Sequence, residues 1–198
     1  MKEGAVKAEK GDALVIVDLQ RDFLPGGALP VPHGDQVVPV MNSYIRLFRD
    51  AGLPIVATRD WHPSNHCSFK EQGGLWPPHC VQGTPGAQFA PGLELPPDAI
   101  VISKASQPQE EAYSGFEGTD LDRRLKALGV KRLFVGGLAT DYCVLSTVKD
   151  ALELGYRVFL LLDAVRSVDV NPGDGERAIE EMRALGAVPV TLKDLAGD

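Results

Sequence analysis

Four residues that could do chemistry each lie where an apolar stretch of the sequence ends. They are Asp18 after LVIV, Asp60 after IVATR, Lys104 after VIS and Cys143 in the turn GGLATDYCV. When such stretches are parallel strands, their carboxyl ends meet at one edge of a sheet, where ligands bind. A carboxylate, an ammonium and a thiol brought together there supply a base, electrostatic support and a nucleophile for acyl transfer. The pattern therefore predicts a cysteine-dependent acyl-transfer site made of Asp18, Lys104 and Cys143.

Each member of this set also has an ordinary structural interpretation. A cysteine between a strand and a helix is often a small buried apolar side chain, an aspartate often caps a turn, and a lysine after a strand is usually exposed. A catalytic role is favoured over these structural roles because the three residues occur together and because a helix start at Cys143 favours a thiolate. Ser103 is a poor alternative nucleophile beside Lys104, since consecutive strand residues point to opposite faces.

A second group of polar residues lies in the stretch from TRDWHPSNHCSF to WPPHC. It carries Asp60, His62, His66 and His79, whose oxygen and imidazole donors suit zinc, iron or manganese. Asp60 and His62 are two residues apart and can face one point in an extended chain. The spacing is not that of a zinc finger, and histidines that only cap or pack the loop are the alternative. The neighbouring Cys67 and Cys80 are interpreted as packing thiols.

The elements that must position these residues alternate between strand and helix. Short apolar runs predict six strands at 13–17, 55–57, 100–102, 133–135, 158–162 and 188–191. Apolar residues at three- and four-residue steps predict four helices that end before Gly52, Gly129, Gly155 and Gly186, the second capped by Thr119. This order indicates an α/β fold with a doubly wound sheet. Residues 59–98 have no clear period and are too long for an ordinary connection, which indicates a functional loop.

Composition excludes several classes of protein. The net charge of −7 leaves no cationic excess for phosphates, so no nucleic-acid partner is expected. The apolar runs are too short to cross a bilayer and no signal peptide is recognisable, so we expect a cytoplasmic protein with no membrane partner. Three cysteines without C-x-x-C spacing disfavour a disulfide framework. The oligomeric state stays open, a homo-oligomer included.

The motifs VDLQRDFLPGGAL, TRDWHPSNH, GGLWPPHCVQGT, SKASQPQEEAYSGFEGTDL and GLATDYCV together resemble a known family. From Asp12 to about Val170 the chain resembles the nicotinamidase/pyrazinamidase branch of the isochorismatase-like cysteine hydrolases. The resemblance implies one domain over 1–198, with a three-layer, doubly wound sheet of six mainly parallel strands in the order 3-2-1-4-5-6 and a metal-binding loop at about 59–98.

The resemblance also implies roles for individual residues. Asp18, Lys104 and Cys143 would form the catalytic triad. Asp60, His62 and His79 would hold one divalent metal ion, with zinc favoured over iron or manganese, and His66 joins the metal shell in some members only. The Leu138–Ala139 peptide bond would be cis, and the N–H groups of Ala139 and Cys143 would form an oxyanion hole. Phe23 and Trp76 would wall the substrate ring.

The activity implied is hydrolysis of nicotinamide to nicotinate and ammonia through a cysteine thioester, with pyrazinamide as a further substrate. A related cysteine amidase for another small amide is the nearest alternative, and the metal motif disfavours isochorismatase itself. A catalytically silent module that binds a metal or a partner is the alternative from another class, because a fold alone does not fix function.

Overall fold

A six-stranded sheet with the order β3-β2-β1-β4-β5-β6 forms the centre of the fold. The structure is a computed structural model that describes residues 6–196. Its strands are β1 Asp12–Val17, β2 Ile55–Asp60, β3 Ile100–Lys104, β4 Arg132–Leu138, β5 Arg157–Arg166 and β6 Val188–Val190. Every neighbouring pair runs parallel. The strand order and the fold class implied by the family resemblance are therefore confirmed.

Helices cover both faces of the sheet. They are α1 Val37–Asp50, α2 Leu121–Ala127, α3 Leu145–Glu153, α4 Asp174–Ala184 and α5 Leu192–Ala196. Strand β1 shows why both faces need cover: Leu14 and Ile16 join an apolar cluster with α1, whereas Val15 joins a second cluster with α2 and α3. Alternate residues of a strand point to opposite faces, so a strand that is apolar throughout is buried between two layers.

The predicted boundaries need four corrections. Asp60 and Lys104 are the last residues of β2 and β3, not residues that follow them. The short helix α5 was not predicted, because five residues show too little of a helical period. The N-cap of α2 is Asp120, so the predicted capping box at Thr119 is wrong, although the Thr119 hydroxyl accepts the N–H of Leu121 at 3.3 Å.

The long segment between β2 and β3 is ordered by short elements of its own. It contains two single-turn 3₁₀ helices, Lys70–Gln72 and Pro85–Ala87. Isolated bridges join His62 to Val81 and Phe69 to Trp76. The segment is thereby folded against the carboxyl ends of the strands. Within residues 6–196, none of the helices has the length and apolar character needed to cross a membrane.

Candidate active site

The pairing of β1 with β4 brings the carboxyl ends of two strands together at the centre of the sheet. Val17 pairs with Gly137. Gly137 has φ +122°, and a Cβ atom there would collide with the backbone of Val17, so only glycine allows this close approach. The Leu138–Ala139 peptide bond is cis, as expected. Next comes a π-helical turn, Thr140–Val144, that carries Cys143 and continues into α3.

Lys104 lies at the centre of the charged residues. Its ammonium is 2.8 Å from Asp18 Oδ2, 2.5 Å from Asp60 Oδ1 and 3.5 Å from Cys143 Sγ. Asp60 and Lys104 are register partners of β2 and β3, so their side chains share a face of the sheet. Lys104 is 1% exposed, which contradicts the ordinary interpretation of an exposed lysine after a strand.

The two carboxylate oxygens of Asp18 have different surroundings. The Thr58 hydroxyl donates to Oδ1 at 2.7 Å, and the Asp18 N–H donates to the same Thr58 oxygen at 3.2 Å. This closed ring holds Asp18 at φ +46°, which is unusual for a residue other than glycine. Among the described residues, Oδ2 has no aligned hydrogen-bond donor, although the Lys104 ammonium lies close to it. A carboxylate oxygen of Asp18 lies within 4.8 Å of Cys143 Sγ, so this carboxylate can take a proton from the thiol.

Burial governs the ionisation of this cluster. Burial raises the pKa of the Cys143 thiol well above its ordinary value; the Lys104 ammonium opposes this, and Asp18 adds to it. Burial also raises the pKa of Asp18, again against the effect of Lys104. For Lys104, burial alone would lower the pKa, but the two carboxylates raise it well above normal, so the ammonium keeps its charge. Burial of Cys143 therefore acts against the stabilising effect that a helix start has on a thiolate.

Three side chains beside this cluster could hold a metal ion. One ligand atom from each of Asp60, His62 and His79 lies within 4.8 Å of the others. His62 Nδ1 donates to the carbonyl of His79 at 2.9 Å, and His79 Nδ1 donates to the carbonyl of Pro77 at 2.8 Å. Carbonyls only accept, so each ring has its Nε2 lone pair free for a cation. Burial lowers the pKa of His62 to about 4, so its ring is neutral at pH 7, as a metal ligand must be.

The spacing of these donors fits a small divalent ion. Bonds of about 2.1 Å in tetrahedral geometry place ligand atoms about 3.4 Å apart. His79 Nε2 lies 3.9 Å from Asp60 Oδ2, so only a small closure is needed. Asp18, Asp60 and Cys143 also come within 4.8 Å of one another. That second group does not fit a metal, because the Lys104 ammonium already lies among its three side chains.

His66 lies beside the three possible metal ligands and is not grouped with them. Its Nε2 donates to the carbonyl of Glu110 at 2.9 Å, and its Nδ1 accepts from the Ser68 hydroxyl at 2.7 Å. Both ring nitrogens are thereby engaged. The ring stacks on that of His62 at 4.2 Å, where it supports the ligand from behind. Cys67 and Cys80 also lie outside the group, and burial raises the pKa of the Cys80 thiol, as expected of a packing thiol.

A cavity of about 610 Å³, counted to its open mouth, reaches Cys143 and the possible metal ligands. Phe23 and Trp76 line it as expected, whereas Trp61 packs under the guanidinium of Arg59 at 3.8 Å and is not part of the wall. Tyr113 also lines the cavity, and its hydroxyl accepts the indole N–H of Trp76 at 3.1 Å. Sequence reasoning missed Tyr113, although it lies within the motif SKASQPQEEAYSGFEGTDL.

The turn that carries Cys143 contains the two backbone N–H groups that the family resemblance assigns to an oxyanion hole, those of Ala139 and Cys143. Its own bonds run from the N–H groups of Tyr142 and Val144, both to the carbonyl of Ala139 at 3.1 Å. Within residues 6–196, the N–H groups of Ala139 and Cys143 take no part in these turn bonds. Both residues line the cavity. Such donors are suited to an oxygen that gains negative charge.

Comparison with known proteins gives a consistent result. Residues 12–194 match the model of the Isochorismatase domain. The nicotinamidase of Escherichia coli (strain K12) is 43% identical over 203 residues, which cover 92% of this chain and 95% of that enzyme. The crystal structure of the pyrazinamidase of Pyrococcus horikoshii in complex with zinc superposes with a TM-score of 0.89 at 57% identity, covering 92% of this chain and 99% of that one. PnC1 from L. infantum in complex with nicotinate has a TM-score of 0.89 at 38% identity, covering 96% of this chain and 98% of that one.

Proposed function

The chain belongs to the isochorismatase family, and from that premise we propose that it is an amidohydrolase converting nicotinamide to nicotinate and ammonia, and acting likewise on pyrazinamide. The observation that carries the proposal is the Lys104 ammonium, which lies 3.5 Å from Cys143 Sγ and 2.8 Å from Asp18 Oδ2 at the end of a cavity. The relatives reported above are named for these two amides or for their product, which supports the same substrate class.

The reaction begins with proton transfer, since the resting thiol is protonated. Asp18 Oδ2 takes the proton of Cys143, and the sulfur attacks the carboxamide carbon while Lys104 stabilises the developing thiolate. The N–H groups of Ala139 and Cys143 donate to the oxyanion. Asp18 returns the proton to the amide nitrogen, the C–N bond breaks, and ammonia leaves a thioester on Cys143. Asp18 then takes a proton from water, and the hydroxide attacks the thioester carbon. The C–S bond breaks, Asp18 returns its proton to the sulfur of Cys143, and the acid product leaves as nicotinate after losing its carboxyl proton to solvent.

The residues of the cavity would orient the ring of the substrate. Phe23 and Trp76 hold its faces, and Tyr113 fixes the indole of Trp76 through its hydroxyl. We propose Asp60, His62 and His79 as ligands of one divalent ion, zinc by preference, because their oxygen and nitrogen donors suit zinc, iron or manganese. When bound, such an ion would supply a Lewis acid for the ring nitrogen of the substrate. Orientation of this kind contributes several kcal/mol to catalysis.

Ammonia release from nicotinamide, pyrazinamide and benzamide tests the proposal. Benzamide has the same ring shape and amide but no ring nitrogen, so we expect its kcat/KM to be lower by about two orders of magnitude, the equivalent of nearly 3 kcal/mol. Chelated enzyme should lose activity and regain it with zinc, manganese or iron, and Asp60→Ala should behave like chelated enzyme. Equal kcat/KM values for benzamide and nicotinamide would show that the ring nitrogen is not recognised and that Asp60, His62 and His79 serve structure and not substrate positioning. A complete lack of ammonia release would indicate the silent metal-binding module.

A further inference from the structure

The carboxylate of Asp141 joins the nucleophile turn to a wall of the cavity. Asp141 lies two residues before Cys143 in the π-helical turn. Its Oδ1 accepts the N–H of Val168 at 2.9 Å, and its Oδ2 accepts the N–H of Asp169 at 2.9 Å. Both oxygens of one carboxylate therefore bind two successive amides of the connection between β5 and α4. Hydrogen bonds to an ionised acceptor are the stronger kind.

The connection is held from its other side by Asp169, which has φ +52°. Its Oδ2 accepts the Ser167 hydroxyl at 2.6 Å, and its Oδ1 accepts the N–H of Gly175 in the first turn of α4 at 2.7 Å. A Cβ atom at Gly175 would collide with the Ser167 side chain, so the helix and the connection are in direct contact. The segment 167–169 is thus held by Asp141, through the amides of Val168 and Asp169, and by the first turn of α4, through Asp169 and Ser167.

Val168 is the member of this connection that reaches the cavity. Its side chain lines the cavity together with Tyr142 and Cys143 and packs against the apolar cluster that contains Leu138. Val168 is only half-buried, and the next residues, Asp169 and Val170, are exposed. Core packing on its own does not fix such a segment, so its hydrogen bonds decide where the Val168 side chain lies.

We propose that Asp141 is a positioning residue that sets substrate affinity by holding Val168 against the bound amide. The inference rests on the proposed function, because it concerns the substrate of the same site. Asp141 touches none of the reacting atoms, and its hydrogen bonds are separate from those of Asp18 and Lys104. Its loss should therefore weaken substrate binding and leave the chemical step nearly intact.

A double-mutant cycle tests the proposal. Asp141→Ala should raise the KM for nicotinamide about 10-fold and change kcat by less than about 3-fold, the pattern of a lost binding interaction. Val168→Ala should raise KM similarly. If Asp141 acts through Val168, the double variant should be little worse than either single one, because the second change removes an interaction already lost. Asp141→Asn keeps the size of the side chain and should give a smaller rise in KM.

Three further measurements separate the outcomes. Asp174→Ala is the matched control, because Asp174 accepts the N–H of Asn171 in the same connection at 2.8 Å but does not contact Val168; its KM should stay unchanged. Wild-type ammonia release is measured first, so that failure of the proposed function is recognised by itself. Whether or not wild type releases ammonia, amide hydrogen exchange at Val168 and Asp169 should be faster in Asp141→Asn than in wild type. A fall in kcat with unchanged KM, additive effects in the cycle, or unchanged amide exchange would each overturn the proposal.

Discussion

Replacing Lys104 with methionine removes the positive charge that lies among three acidic groups. Two unit charges 3.5 Å apart, the distance from Lys104 Nζ to Cys143 Sγ, attract each other by about 5 kcal/mol at an effective dielectric constant of ~20. Because the site is buried, dissolved cations can replace little of this attraction in the variant. Water that enters the space left by the ammonium recovers part of it. The variant also leaves Asp18 and Asp60 without their shared cation, which raises the pKa of Asp18 and lowers the fraction of this carboxylate that is ionised and can take a proton. We expect kcat/KM to fall by a factor of about 10³.

Two assays check this expectation. Ammonia release gives kcat/KM, and iodoacetamide alkylation measured against pH reports the ionisation of Cys143. Lys104 lowers the pKa of this thiol, so its removal should move the alkylation profile to higher pH. Lys149→Met is the matched control, because Lys149 is exposed and its ion pair with Glu181 at 2.7 Å should contribute little. If Lys104→Met keeps kcat/KM within 10-fold of wild type and alkylates with an unchanged profile, Lys104 does not support the thiolate.

Three further predictions concern neighbouring groups. Cys143→Ala should lose turnover and keep its fold and metal content, with Cys67→Ala as an active control; residual activity above about 1% would refute the nucleophile. Thr58→Val removes the hydroxyl donor to Asp18 Oδ1 and should lower kcat 10- to 100-fold, the rough worth of a hydrogen bond to a charged group, whereas Thr58→Ser should retain it; equal rates for the two variants would contradict this role. In metal-free protein, burial lowers the pKa of His62 from 6.5 to about 4, so the unfolded chain binds a proton that the folded chain does not. The free energy of unfolding should therefore fall by up to about 3 kcal/mol as pH drops from 6.5 to 4. Urea titrations at several pH values should show that His62→Gln lacks this part of the pH dependence.

The fold was predictable where local pattern and burial agree. Strand β1 is apolar at every position after Asp12, and α1 repeats Val37, Met41, Ile45 and Phe48 on one face, so both elements follow from periodicity. The ends of β2 and β3 were predicted too early, because Asp60 and Lys104 are charged residues that the structure buries as a pair. No single-residue pattern indicates that a charge is compensated by a neighbouring strand.

The residues of the candidate site could be predicted from the sequence better than their ionisation could. The convergence of Asp18, Lys104 and Cys143 follows from the rule for strand ends, and the structure brings them together. Their catalytic roles, the cytoplasmic location, the extent of the domain and the state of assembly stay predictions. Thr58, Tyr113 and Asp141 were not recognised as parts of the site, since their importance comes from contacts across 27 to 40 residues of chain. The raised pKa of the Cys143 thiol was also not anticipated, because depth of burial is a property of the folded chain.

The buried cluster of Asp18, Asp60 and Lys104 has a consequence for how the protein can change over time. None of the three is more than 5% exposed, and together they carry a net charge of −1 when both carboxylates are ionised. Loss of Lys104 alone leaves two uncompensated carboxylates and destabilises the fold, whereas replacement of all three residues by apolar residues of matching volume is often neutral or stabilising. Heat resistance and turnover are therefore opposed at these positions. A gene copy released from selection for activity can therefore reach an inert, more stable protein by losing the cluster as a unit, whereas a step that removes Lys104 alone lowers stability.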